Sequence, residues 1–140
     1  MTINPYLNFP GNTEQAFNFY RSVFGGEFAV LQRFKDTPDG DKMSPELQNQ
    51  IMHVSLPIAP GYHLMATDAP AEMGFSLTQG NNYYITINPD SREDATRLFN
   101  GLSAGGKIEM ELQDMFWGAY YGSFEDKFGI KWMVNYQQQQ

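Results

Sequence analysis

One pattern occurs twice in this chain, and it constrains the fold more than any single motif. In the first copy Tyr6-Leu7-Asn8-Phe9 has strand character, and Pro10-Gly11-Asn12 breaks it. Asn12 with Gln15 three residues later predicts a helix cap and capping box. Ala16, Phe17, Tyr20, Val23 and Phe24 then recur at helical spacing, and Gly25-Gly26 ends the helix. A strand is expected over Glu27–Phe34. The second copy begins with the strand Tyr83–Ile87, broken by Asn88-Pro89-Asp90. Asp90 with Glu93 predicts another capping box. Ala95, Leu98, Phe99 and Leu102 follow at i, i+3, i+4 and i+7, and Gly105-Gly106 lies 80 residues after the first pair. Lys107–Leu112 alternates polar and apolar residues as a half-buried strand does.

The ends of the copies agree as well. Gly61-Tyr62-His63-Leu64-Met65-Ala66 resembles Gly129-Ile130-Lys131-Trp132-Met133-Val134. Strands are expected before them, over Gln50–Ile58 and Phe116–Phe124. Each half therefore reads β-α-β-β-β. The predicted fold is α+β: two tandem βαβββ repeats forming a curved, cup-shaped mixed sheet with helices on its outer face. One domain is expected over 1–137, with repeat one at about 1–70 and repeat two at about 82–137. Asp36–Gln48 reads as a polar loop, Ala69–Asn82 as the connection between halves, and 138–140 as a disordered tail.

Charge and composition exclude several functions. The net charge is −7 and the pI about 4.6, so a phosphate backbone is repelled and no nucleic-acid partner is expected. Cysteine is absent, which removes disulfides, thiol catalysis and thiolate metal sites. No apolar run reaches the ~20 residues of a membrane span, and Met1-Thr2-Ile3-Asn4-Pro5 has no secretion-signal pattern. A cytoplasmic protein with no membrane partner is the expectation.

Several segments then carry a resemblance. They are Pro5 to Asn12, Ala16 to Tyr20, Met65 to Ala69 and Gly106 to Met110. Phe116-Trp117-Gly118 and the run Asp126 to Asn135 complete the set. In these the chain resembles the vicinal oxygen chelate superfamily of glyoxalase I, bleomycin-resistance proteins and extradiol dioxygenases, within it the PhnB-like branch. The resemblance implies a homodimer, in keeping with sheet edges that invite pairing. It also implies metal-ligand positions at Pro5, Met65, Tyr83 and Met133. None of these is a usual ligand for a hard or borderline divalent ion. No metal and no cofactor are therefore expected, and metal-dependent catalysis is argued against. Some members are labelled methyltransferase-like. A methyl donor usually needs a Gly-rich turn between strand and helix of a parallel sheet. Here only Gly11 separates the first strand from its helix, so that chemistry is argued against too.

Strand parity yields the candidate site. His63, Met65, Thr67, Lys131, Met133 and Asn135 are expected to face the cup, with Leu7, Phe9, Tyr83, Ile85 and Ile87. Trp132 has the opposite parity and should pack beneath the helices. Trp117 either stacks on a ligand or packs at a subunit interface. His63 is either a ligand contact or a rim residue touching water, and His53 a half-buried, hydrogen-bonded histidine. Glu109 and Glu111 read as the solvent face of a strand. The ligand-binding candidates are thus His63, Met65, Tyr83, Met133 and Trp117, with catalytic residues unassigned. Three functions follow. The first is metal-independent binding of a small molecule in the cup. The alternative is an enzyme, a glyoxalase-type lyase or isomerase or one using His63 as general base. The third is a dimeric module whose cup is filled by its own side chains.

Overall fold

A computed structural model describes residues 1–137, so the expected tail at 138–140 lies outside the described residues. It divides into two compact units, the first ending at Thr78 and the second beginning at Gln79. The first runs β1 (Tyr6–Phe9), α1 (Thr13–Phe24), β2 (Val30–Arg33), α2 (Pro45–Gln48), β3 (Ile51–Ala59) and β4 (Tyr62–Asp68). The second runs β5 (Ile85–Ile87), α3 (Arg92–Ser103), β6 (Lys107–Asp114), β7 (Ala119–Glu125) and β8 (Lys131–Gln137). The sheets have the orders β1-β4-β3-β2 and β5-β8-β7-β6. The first strand of each is parallel to the last, and the other pairs are antiparallel. The α+β class and the tandem βαβββ repeats are as the sequence predicts. No helix of the described residues is long and apolar enough to cross a membrane.

Each helix buries its apolar stripe on one face of its own sheet. In the first unit Ala16, Phe17 and Tyr20 of α1 are buried, as are Phe9, Val54, Leu56, Leu64 and Ala66 of the strands. Phe17 meets Phe9 and Tyr20 edge-on. In the second unit Ala95, Leu98, Phe99 and Leu102 of α3 are buried with Phe124, Trp132 and Val134. Phe99 and Phe124 cross at 84° with centroids 5.0 Å apart, an arrangement that ring quadrupoles favour.

Both expected caps are replaced. Asn12 precedes α1 but its side chain caps nothing. The carboxylate of Asp68, at the end of β4, accepts from Thr13 N (3.0 Å), Thr13 Oγ1 (2.6 Å) and Ile51 N (2.8 Å). A charged acceptor from a distant strand outcompetes the local amide. Before α3 the cap is Ser91, which accepts from Asp94 N at 3.1 Å, and not Asp90. Strand ends shift too. Phe34 leaves the expected second strand for a 3-10 turn, and Asp36–Gln48 contains α2, capped by Ser44. The strand expected from Phe116 begins at Ala119, because Gly118 N bonds Met115 O (3.0 Å) and closes a turn with Gly118 at φ 96°. Trp117 therefore sits in the β6–β7 turn, half exposed.

Candidate functional site

In each unit the helix covers one sheet face, and the opposite face carries the residues of the other parity. Strand register identifies its residues. In the first unit Tyr6 lies opposite Met65, Met65 opposite Ser55, and His63 opposite Pro57. Alternation adds Asn8, His53 and Thr67. Tyr6 Oη is 3.0 Å from His53 Nδ1, and the two rings lie 13° from parallel with centroids 5.6 Å apart. Burial raises the Tyr6 pKa above the ordinary phenol value, so the phenol stays protonated. Ser55 Oγ is 3.2 Å from His63 Nδ1, and His63 N donates to Asn4 Oδ1 at 3.0 Å. The Ser55 contact orients the His63 ring, the Asn4 bond holds its backbone, and Nε2 has no protein partner among the described residues.

The second unit repeats the frame with other chemistry. Thr86 lies opposite Met133, Met133 opposite Ser123, and Lys131 opposite Glu125. Ser55, His63, Met65 and Tyr6 thus correspond to Ser123, Lys131, Met133 and Thr86. Lys131 pairs with Glu109, and its ammonium lies 4.9 Å from the Tyr84 ring centroid. Tyr84 Oη donates to Glu109 Oε1 at 2.8 Å, and Thr86 Oγ1 donates to Met133 Sδ at 3.7 Å. Glu109 is exposed, as alternation suggested, and it also pairs with the buried Lys131. Its hydrogen bond to Lys131 lowers the carboxyl pKa, and the same bond raises that of Lys131.

The signs of these shifts give a prediction. The depressed Glu109 carboxyl supplies stability above its unfolded pKa, lost as pH falls through the lower folded value. The raised Lys131 ammonium supplies stability below its unfolded pKa, lost as pH rises through the higher folded value. Urea midpoints of the wild type and Glu109→Gln should differ at neutral pH and converge on acidification below the ordinary carboxylate range. A gap that stays constant to low pH would show that the carboxylate contributes nothing.

Four residues expected on the ligand face lie on the other. Leu7 pairs with Ala66, Ile85 with Trp132 and Ile87 with Val134. With Phe9 these residues turn toward the helices, because aliphatic and phenyl groups gain most from leaving water; Leu7 and Phe9 are buried, and Ile85 and Ile87 half-buried. Tyr83 also leaves the Met133 face; Tyr84 and Thr86 take it. The Tyr83 phenol instead accepts from Lys131 N at 3.3 Å, as Asn4 does from His63. His63, Met65, Lys131 and Met133 stand on the faces opposite the helices, each within its own unit. Tyr6, Ser55, Tyr84 and Thr86 were missed. Tyr6 and Thr86 could have been found by testing a shift of one residue in the first strand of each repeat.

The register also moves the metal positions implied by the resemblance, by one residue in the first unit and by three in the second. The neighbours of Met65 and Met133 are Tyr6 and Thr86, and neither pair offers a carboxylate or imidazole. The residues do not fit a hard divalent ion. Among the described residues no three His, Asp or Glu side chains gather.

The sequence profile of the Glyoxalase/Bleomycin resistance protein/Dioxygenase superfamily matches residues 2–134. Protein YjdN of Escherichia coli K12 is 32% identical over 148 residues, covering all of this chain and 98% of that protein. The crystal structure of PA1353 from Pseudomonas aeruginosa is 36% identical with a TM-score of 0.85 over 99% of both chains. A Bacillus cereus structure described as a putative 3-demethylubiquinone-9 3-methyltransferase, PhnB protein, is 25% identical with a TM-score of 0.70, over 97% of this chain and 99% of that one.

Proposed function

This chain belongs to the glyoxalase/bleomycin resistance protein/dioxygenase superfamily, and from that premise we propose that it binds a small molecule without a metal ion, on the sheet face opposite α1. The supporting observation is the lining of that face. Tyr6, His53, Ser55, His63 and Met65 combine an aromatic surface, a thioether and a few oriented polar groups, which is the usual character of a small-molecule site. Met65 adapts to varied apolar shapes. His63 Nε2 and the Tyr6 phenol give direction. The chain's acidity favours a ligand that is neutral or cationic.

The Bacillus cereus relative's description names a methyltransferase. Neither four-stranded mixed sheet here supplies the parallel strand, Gly-rich turn and helix by which a methyl donor is usually held, so that activity is not carried over. One observation favours a second reading, in which His63 moves a proton. When Nδ1 carries the proton and donates to Ser55 Oγ, Nε2 is left as the free acceptor that a general base needs. Turnover of a hemithioacetal that is lost in His63→Gln would favour it.

A thermal-shift screen of aromatic and cationic small molecules, run with chelator and separately with divalent ions, tests the binding reading. Stabilisation of chelated protein is expected. Stabilisation by divalent ions alone would make the reading wrong. With a ligand in hand, Tyr6→Ala and Met65→Lys should each weaken binding several-fold, about 1 kcal/mol for the lost aromatic contact, with the melting temperature little changed. Undiminished affinity in both variants would move the site off this face.

A further inference from the structure

A pocket of about 550 Å³ opens in the second unit between the end of β5 and the start of α3. It is lined by the turn Asn88-Pro89-Asp90, by Arg92, and by Asn135, Tyr136 and Gln137 of β8. The repeat shows why it is there. In the first unit Thr13 stands where Arg92 does and Asp68 where Tyr136 does. Asp68 fills that corner with its carboxylate and binds Thr13 and Ile51. Ala69 N then donates to Phe9 O at 2.7 Å, which carries the pairing one step past the strands. Phe9, Thr13, Asp68 and Ala69 are all buried. In the second unit the β5–β8 register stops at Ile87↔Val134, while β8 continues to Gln137. No carboxylate reaches across from Tyr136, and Ser91 caps α3 locally. The same corner of the repeat is sealed once and open once.

We propose that this open corner is a second ligand site, separate from the first-unit face proposed above, for a polyhydroxylated molecule of monosaccharide size, neutral or carrying an amine. Its groups match hydroxyls, which both donate and accept. Asn135 Nδ2 donates to Asn88 Oδ1 at 3.3 Å, so the bonded pair still presents Asn88 Nδ2 as donor and Asn135 Oδ1 as acceptor. The Gln137 amide adds one more of each, and Tyr136 offers a ring face and a phenol. The charge balance disfavours an anion. Arg92 is held by two bonds to Asp114, 2.7 and 2.8 Å, with its guanidinium 3.9 Å from the Tyr120 ring centroid. Its charge is thus matched, and that of Asp90 is left over. The volume suits a small ligand.

The test is a titration of the isotope-labelled full chain with D-glucose, D-galactose, D-mannose and D-glucosamine, followed by NMR of the side-chain amides, with sodium D-gluconate as the anionic probe. Saturable shifts of the Asn88, Asn135 and Gln137 amides are expected with at least one sugar, and none with gluconate. Asn88 is exposed, so Asn88→Ala should fold normally and bind about fivefold more weakly, as should Tyr136→Ala. The proposal is overturned by a flat titration with every sugar to about 50 mM. It is equally overturned by shifts that follow gluconate instead of the sugars, or by undiminished binding in Asn88→Ala.

Discussion

Asp126→Ala should lower the stability of the chain by about 3–5 kcal/mol, enough to unfold a marginal domain. Asp126 is 2% exposed in the turn between β7 and β8. Its Oδ1 accepts from Phe128 N at 2.8 Å and Ile130 N at 3.0 Å, while Oδ2 accepts from the indole Nε1 of Trp132 at 2.9 Å. One carboxylate thus shapes the turn and supplies the acceptor for the largest fully buried side chain of the core. Alanine removes the acceptor of all three donors, and each buried donor left unpaired costs about 1–3 kcal/mol. Asn is expected to fall between. Its Oδ1 can still take the two backbone donors, but its Nδ2 would face the indole N–H, donor against donor. Urea unfolding followed by tryptophan fluorescence reads the effect well, since Trp132 is buried and Trp117 half exposed. A loss below about 1 kcal/mol in Asp126→Ala would mean that water replaces the carboxylate and that the turn does not depend on it.

The repeat was legible in the sequence because breakers and helical spacing are local. Pro10-Gly11 and Asn88-Pro89 must end strands, and the periodicities of α1 and α3 require helices. Which strand face meets the helix is not local. In Tyr6-Leu7-Asn8-Phe9 three residues of four are apolar, so alternation is visible and its sense is not. Placing the apolar set toward a ligand gave Leu7 and Phe9 the wrong side. The stronger argument is energetic: aliphatic residues at alternate positions, such as Ile85 and Ile87, belong on the more buried face, and aromatic or hydroxylated neighbours such as Tyr84 and Thr86 on the more exposed one. The faces opposite the helices were half legible for the same reason. His63, Met65, Lys131 and Met133 lie on last strands, where they alternate with the buried Leu64, Ala66, Trp132 and Val134. Caps such as Asp68 were beyond reach, because a carboxylate 55 residues from Thr13 leaves no local trace.

Gly106→Ala should cost about 3 kcal/mol or more, whereas Gly26→Ala should cost about 1–2 kcal/mol. The two Gly-Gly pairs look alike in the sequence and serve different ends. Gly26 has φ 80°, a region that L residues avoid, but a Cβ there would meet nothing nearer than Pro57 O at 4.0 Å. The penalty is confined to its own backbone. Gly106 is outside the positive-φ set, and what it lacks is space. A Cβ would collide with Glu125 O and come within 2.9 Å of Asp126 C and Cα. Those atoms are main chain, and they begin the β6–β7 pairing at Lys107↔Glu125. They cannot swing aside as a side chain would. The methyl must push the start of β6 away from β7 and carry the Asp126 turn with it. Denaturant midpoints for the two variants separate these demands. The expected order is a large loss for Gly106→Ala and a small one for Gly26→Ala. Equal losses would refer both glycines to backbone conformation alone and remove close strand approach as the reason for the second pair.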